Sequence, residues 1–336
     1  METIKNIKKN SAILLIITIV VLFFLLKDNM GEIFSTLSKI NLLYLLVAIM
    51  LYFAYIISKA YIIYKCVDEK DKLSFKEAIK HNIITQFFNG ITPFSTGGQP
   101  MEVYMIVEHN IKVSKATSVT LENFIFYQTA LVIYGVIAVV CNLTFNLFPK
   151  VALLKHLVLL GFIINSLVAV GLYAIMLSKT VTKKISNTII KLLGKLKIIK
   201  DTSKAKSSWQ EKLEEFHYIS KDLLKRKKTF IFGILINLFS LTCLYIIPLF
   251  IMYGLHDFTS LNPISAITSS AYVLLIGSFV PIPGASGGIE YGFIKFFGNF
   301  MPVVILNSLL ITWRFITYYL GMILGGFLFS TEKESD

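Results

Sequence analysis

Apolar residues fall along this chain in runs long enough to cross a bilayer, separated by lysine-rich stretches and by stretches rich in glycine and proline. The first run, Ser11 to Leu26, follows Lys5, Lys8 and Lys9, and Lys27-Asp28 closes it with no small-x-small cleavage pattern behind. It reads as a retained span of minimal length whose flanking lysines snorkel. Runs over about 41–64, 116–147, 157–177, 230–253 and 303–329 supply five more spans. Lys59 lies in the last turns of the second and is expected to snorkel to the interface.

Two further segments are apolar but broken. Ser74-Phe-Lys-Glu77 spells a capping box. The helix it starts carries Phe75, Ala78, Ile79, Ile83, Phe87 and Phe88 on one broad face. It reaches only Asn89-Gly90, about 24 Å at 1.5 Å per residue, so it enters a bilayer but barely crosses it. Thr92-Pro-Phe-Ser-Thr-Gly-Gly-Gln-Pro-Met-Glu102 then breaks it before a short return helix. The second broken segment, 263–300, contains Gly-Ser-Phe-Val-Pro-Ile-Pro-Gly-Ala-Ser-Gly-Gly-Ile-Glu-Tyr-Gly over 277–292. Backbone this irregular survives at membrane depth only when buried in protein or lining a wet cavity, and in transporters such breaks mark substrate sites.

The breaks match each other. Pro93-Phe-Ser-Thr96-Gly97-Gly98 and Pro283-Gly-Ala-Ser286-Gly287-Gly288 both read P-x-x-[ST]-G-G, with Glu102 and Glu290 following. The expected fold is therefore an all-α polytopic membrane protein built as an inverted repeat. Residues 1–150 form the first half, with a re-entrant hairpin at about 74–112. Residues 151–330 form the second, with a hairpin at about 263–300, and 331–336 are a tail. Six full spans result, or eight if the hairpins cross.

Composition agrees: 55% hydrophobic residues, mean hydropathy +0.70 and 16% charged residues exclude a soluble domain. The net charge of +13 does not indicate nucleic acid, because most of it sits in one loop, 178–228, with 15 Lys/Arg against 5 Asp/Glu. Two amphipathic patterns in that loop suit the anionic inner-leaflet lipids; a solvated loop obeying the positive-inside rule makes the same topology. That rule places the lysines at 5–9, those at 65–80 and the loop in the cytoplasm, with both termini, although it does not separate six spans from eight. Cys66, Cys141 and Cys243 match no redox or metal spacing, the five histidines form no metal motif, and no G-x-x-x-x-G-K-[ST] run is present. No catalytic group, metal or cofactor is expected.

The candidate site is the space between the two tips. Thr96, Gly97, Gly98 and Gln99 on one side, and Ser286, Gly287 and Gly288 on the other, would offer donors and helix N-termini to a phosphate or carboxylate. Glu102 and Glu290 are expected in the first turns of the returning helices, as helix-terminus carboxylates or as contacts to a cationic headgroup or a proton. Arg314, in mid-span, costs about 2.5–3.5 kcal/mol on insertion scales and must face the interior; it pairs with a glutamate such as Glu290 or binds lipid phosphate. Glu122 reads as a contact on the cytoplasmic access route or an interfacial residue. Gly321-x-x-x-Gly325 permits close helix packing.

These residues resemble a known family. Pro-Ile-Pro-Gly-Ala-Ser-Gly-Gly-Ile-Glu is similar to the P-x-P-G-G-x-G-x-x-E signature of the lysylphosphatidylglycerol synthase transmembrane, flippase-like family, with Ala285-Ser286 where that pattern has a glycine. Thr-Pro-Phe-Ser-Thr-Gly-Gly-Gln-Pro resembles its first-half motif. The resemblance implies a plasma-membrane flippase that moves a phospholipid, such as aminoacylated phosphatidylglycerol, between leaflets. Alternatively it implies a membrane component of, or scaffold for, lysyltransferase-type lipid modification linked to cationic antimicrobial peptide resistance. The sequence ends six residues past Ser330, so a synthase domain is expected to be a separate partner chain. Self-association stays open.

Overall fold

The computed structural model of the protein describes residues 30–68, 72–148, 152–195, 209, 213–220 and 225–333. The first apolar run lies outside them. All regular structure among the described residues is helical. In chain order these are α1 (Met30–Ser38), α2 (Leu42–Val67), α3 (Phe75–Ile91), α4 (Gly98–Glu108), α5 (Val113–Phe145), α6 (Ala152–Leu177) and α7 (Lys179–Lys195). After a short helical piece at 213–220 come α8 (Lys227–Tyr245), α9 (Ile247–Gly254), α10 (Pro263–Gly277), α11 (Gly288–Phe297), α12 (Val303–Arg314) and α13 (Leu320–Lys333).

Five helical stretches are long and apolar enough to cross a membrane: Leu42–Val67, Val113–Phe145, Leu154–Leu177, Lys227–Gly254 and Val303–Thr331. The chain is a multi-pass membrane protein. Pro248 does not end its span: it enters as an early residue of α9, where its missing N–H is tolerated, and the apolar run continues to Gly254. The last span also has a discontinuity, a π-helical turn at Phe315–Tyr319 directly after Arg314.

The two broken segments fold alike. In the first, α3 and α4 run antiparallel. Their far ends meet where Lys72 Nζ donates to the Asn110 carbonyl (3.3 Å) and His81 faces His109 across 3.3 Å. The capping box at the start of α3 is formed: Ser74 N–H donates to Glu77 Oε2 at 2.6 Å and Glu77 N–H to Ser74 Oγ at 3.2 Å. In the second, α10 and α11 are also antiparallel, with Gly277 against Ile289 near the tip and the Tyr272 ring tilted against Phe296, centroids 5.2 Å apart, near the base.

One large apolar core joins α2, α5, α6, α8, α9, α10, α11 and α12, with Tyr52, Tyr245, Phe293, Phe296 and Phe297 among its fully buried members. A smaller cluster around Ile62, Ile63, Ile106, Val119 and Phe126 seats α4 against α2 and α5. The final helix crosses back to the first half. A Cβ on Gly325 would strike the Ile83 carbonyl of α3, and one on Gly321 the Tyr52 hydroxyl of α2. The G-x-x-x-G spacing therefore works as close packing, bringing α13 onto α3 and the last span onto the first tip.

Candidate functional site

The repeated hexapeptide makes the same turn twice. In both tips the proline opens a short 3-10 turn, Pro93–Ser95 and Pro283–Ala285. The next two residues take left-handed backbone: Phe94 and Ser95 at φ 54° each, Gly284 and Ala285 at φ 64° and 50°. The fourth position then folds its hydroxyl back on the proline carbonyl, Thr96 Oγ1 to Pro93 O at 3.0 Å and Ser286 Oγ to Pro283 O at 3.3 Å. That bond explains why Ser and Thr serve equally there. Three of these four left-handed positions are not glycine, a conformation that costs non-glycine residues free energy and persists only where the surroundings impose it.

The helices return at Gly98 and Gly288, and three N–H groups at these turns already have acceptors. Gly97 N–H donates to Thr92 Oγ1 (2.8 Å), Gly98 N–H to Asn89 Oδ1 (3.0 Å) and Gly287 N–H to Glu290 Oε2 (2.6 Å). Neither Asn89 nor Thr92 stands out in the sequence, since both act across the break. Gln99 is half-buried; Thr96 and Gly287 are exposed, Gly98 and Ser286 buried, and Gly97 and Gly288 intermediate. Glu102 sits in the second turn of α4 rather than the first, because the helix begins at Gly98.

Glu290, in the first turn of α11, does two things with two oxygens. Oε2 caps Gly287, and Oε1 accepts from Arg314 Nε at 2.7 Å. Arg314 is 3% exposed and its Nη2 also donates to the Gly284 carbonyl at 3.0 Å. Of the two roles open for Arg314 in the sequence, the geometry displays the ion pair. One turn on, Tyr318 lies with its ring 5.0 Å from the guanidinium and donates its hydroxyl to the Gly90 carbonyl at 2.9 Å. Arg314 thus grips the second tip while Tyr318 grips the first, and the tips touch each other. The i, i+4 spacing of Arg314 and Tyr318 is legible in sequence; the carbonyl that Tyr318 reaches is not.

Lys59 does not snorkel outward. Its Nζ folds back over the rings of Tyr55 and Tyr127, 5.3 Å and 4.9 Å from their centroids, and its charge reaches Glu102. Aromatic faces hold a cation at membrane depth without neutralising it. Glu122 is not interfacial: it is 0% exposed and faces Cys66 on α2. The site residues thus fall into two groups. Glu290, Arg314, Ser286–Gly288 and Thr96–Gln99 gather at the touching tips, while Glu102 and Glu122 lie deeper in the first half beside Lys59 and Cys66.

Comparison with known proteins places these observations. The sequence matches the family described as Lysylphosphatidylglycerol synthase TM region over residues 11–325. It is also 25% identical over 261 residues to a "UPF0104 membrane protein" of Archaeoglobus fulgidus, an alignment covering 76% of this chain and 75% of that protein.

Proposed function

The chain belongs to the Lysylphosphatidylglycerol synthase TM region family, and on that premise we propose that it carries a phospholipid headgroup between leaflets past two re-entrant tips that meet inside the membrane. The observation that carries the reading is the junction itself. Two broken helices approach from opposite halves of the chain, and a buried arginine and its neighbouring tyrosine hold both. A site that opens alternately to two sides needs irregular backbone and polar groups at one depth, and the touching tips bring both together.

The topology proposed is six full spans with both termini cytoplasmic, in the plasma membrane, as two inverted halves, 1–150 and 151–330. The contacts of Lys72 with Asn110 and of His81 with His109 favour hairpins that return to the side they entered. The basic helix α7, with Lys179, Lys183, Lys184 and Lys191, then faces the anionic inner leaflet. Exposed Thr96 and half-buried Gln99 form the headgroup contacts on the first tip, and Lys59 in its tyrosine cage a further contact away from the tip.

The test is reconstitution into phosphatidylethanolamine–phosphatidylglycerol vesicles with fluorescent phosphatidylglycerol. The protein is expected to speed exchange of the label between leaflets, and Lys59→Met combined with Gln99→Ala to slow it while remaining folded. Immobile label with folded wild-type protein refutes the reading. A second reading, a membrane component of a lysyltransferase-type lipid modification, draws on the family's description. It predicts that cells with and without the protein differ in which lipids they contain, whereas a transporter changes only which leaflet they occupy.

A further inference from the structure

Glu102 and Glu122 take no part in the Arg314–Glu290 junction, and their environment is unusual for carboxylates. Glu122 is 0% exposed and neither oxygen has a hydrogen-bond partner. Glu102 is 8% exposed with Oε1 equally unpartnered. Thr120 and Asn123 of α5 stand beside Glu102, and Thr120 Oγ1 and Asn123 Oδ1 are themselves buried without partners. The Thr120 hydroxyl and the Asn123 amide can each donate to a Glu102 carboxylate or accept from its protonated form, so the unusual feature is burial of carboxylate oxygens without a partner, not a want of donors.

An isolated ionised carboxylate costs so much to bury that the group neutralises or captures a cation. Charge decides between these. The groups facing the two glutamates are Lys59 and Cys66 from α2, Lys115 from α5 and Arg226 ahead of α8. Two turns further along α4, His109 pairs with His81 of α3. A bound metal cation would be repelled by Lys59, Lys115 and Arg226, whereas a proton leaves a neutral acid. A protonated Glu102 also supplies an O–H donor to the buried, unpartnered Asn123 Oδ1.

We propose that Glu102 and Glu122 are a proton-carrying pair that couples movement at the tips to proton transfer. The proposal rests on the transport reading above. Glu102 lies on the helix that leaves the first tip, so a shift of the tip moves it relative to Lys59. With a proton on Glu102, Lys59 rests over Tyr55 and Tyr127. When that proton passes to water, the carboxylate draws the Lys59 ammonium off the rings into an ion pair, and a proton taken from water on the other side reverses the change. No other bond forms or breaks.

Two measurements on the full-length protein test it. Infrared difference spectra recorded while pH is stepped should contain a protonated-carboxyl C=O band that weakens in Glu102→Gln and Glu122→Gln. In the reconstituted vesicles, a pH gradient of one unit should bias fluorescent phosphatidylglycerol toward one leaflet by up to about tenfold per proton. A protonophore should abolish the bias, and each Gln variant should exchange lipid without responding to the gradient. A carboxyl band unchanged in both variants overturns the proposal, as does wild-type exchange indifferent to the pH gradient. Response to a sodium gradient instead overturns the proton and makes the cluster a sodium site. If wild-type vesicles move no lipid while the variants still lose the carboxyl band, the transport reading fails and the coupling with it, and only the proton pair stands.

Discussion

Removing one partner of the Arg314–Glu290 pair leaves the other charge buried without compensation, which in comparable pairs costs about 3–5 kcal/mol. Glu290→Gln keeps the shape and one acceptor but strands the guanidinium, so a loss of that order is expected in chemical denaturation of the detergent-solubilised protein. Arg314→Met combined with Glu290→Gln removes both charges and should cost less than Glu290→Gln alone, because an apolar replacement of a buried pair is often near neutral. Additive losses would mean that the two side chains do not act as a pair. Ala285 offers the opposite sign. It holds φ at 50°, where an L-residue with a Cβ is disfavoured by about 1–2 kcal/mol. Glycine restores the freedom but loses some stability through the unfolded chain. Ala285→Gly should therefore be neutral to about 1 kcal/mol stabilising, and a melting temperature lowered by several degrees would contradict the conformation. At Gly284, by contrast, a Cβ would meet the Tyr318 hydroxyl at a left-handed position, so Gly284→Ala should disturb both the tip and its clamp.

Helices couple through contacts of the same kind. Tyr318→Phe deletes the hydroxyl that holds the Gly90 carbonyl, a loss of about 0.5–1.5 kcal/mol, and should raise hydrogen exchange at 92–98 more than at 283–288. Equal change at both tips would show that Tyr318 does not act on the first tip selectively. In the loop after α9, Asp257 is partly buried, which pushes its pKa up, but hydrogen bonds from Ser260 and Thr259 outweigh this and hold it below the usual aspartate value. A depressed acid stabilises the fold above its unfolded pKa, about 3.9, and that contribution is lost as pH falls through the folded value. Asp257→Asn should therefore flatten the acid side of the stability–pH curve, lowering stability at neutral pH and leaving it nearly unchanged below the folded pKa, where the wild-type contribution is already lost. These examples separate what sequence can carry from what it cannot. The capping box at Ser74–Glu77 and the doubled P-x-x-[ST]-G-G are legible because their partners lie within a few residues. The tyrosine cage of Lys59 is not legible, because its position near a helix end suggests an interface, while its partners come one from its own helix and one from α5. Asn89 capping Gly98, the π-turn after Arg314 and the burial of Glu122 are set by packing between distant segments, which no local pattern records.

For the molecule as a whole, the decisive question is whether each broken segment returns to the side it entered. Charge bias along the sequence does not separate six spans from eight. The proposed six-span arrangement draws on the helix pairing: the base of α3 and the end of α4 meet at Lys72–Asn110 and His81–His109, while α10 and α11 pack antiparallel from Gly277–Ile289 to Tyr272–Phe296. In a variant with Cys66, Cys141 and Cys243 replaced, single cysteines are introduced at exposed positions on both sides of each hairpin. With an impermeant thiol reagent, Lys72→Cys and Lys112→Cys should both label from the cytoplasm, and Thr259→Cys and Asn299→Cys both from outside. If the members of either pair label from opposite faces, that segment crosses the membrane and the inverted arrangement of tips collapses. If all four label from one face, the halves are parallel rather than inverted, and a mechanism that alternates between leaflets through the tips loses its geometric basis. Only the first pattern leaves the two glycine-rich turns facing each other from opposite sides of the bilayer, where one headgroup can meet both.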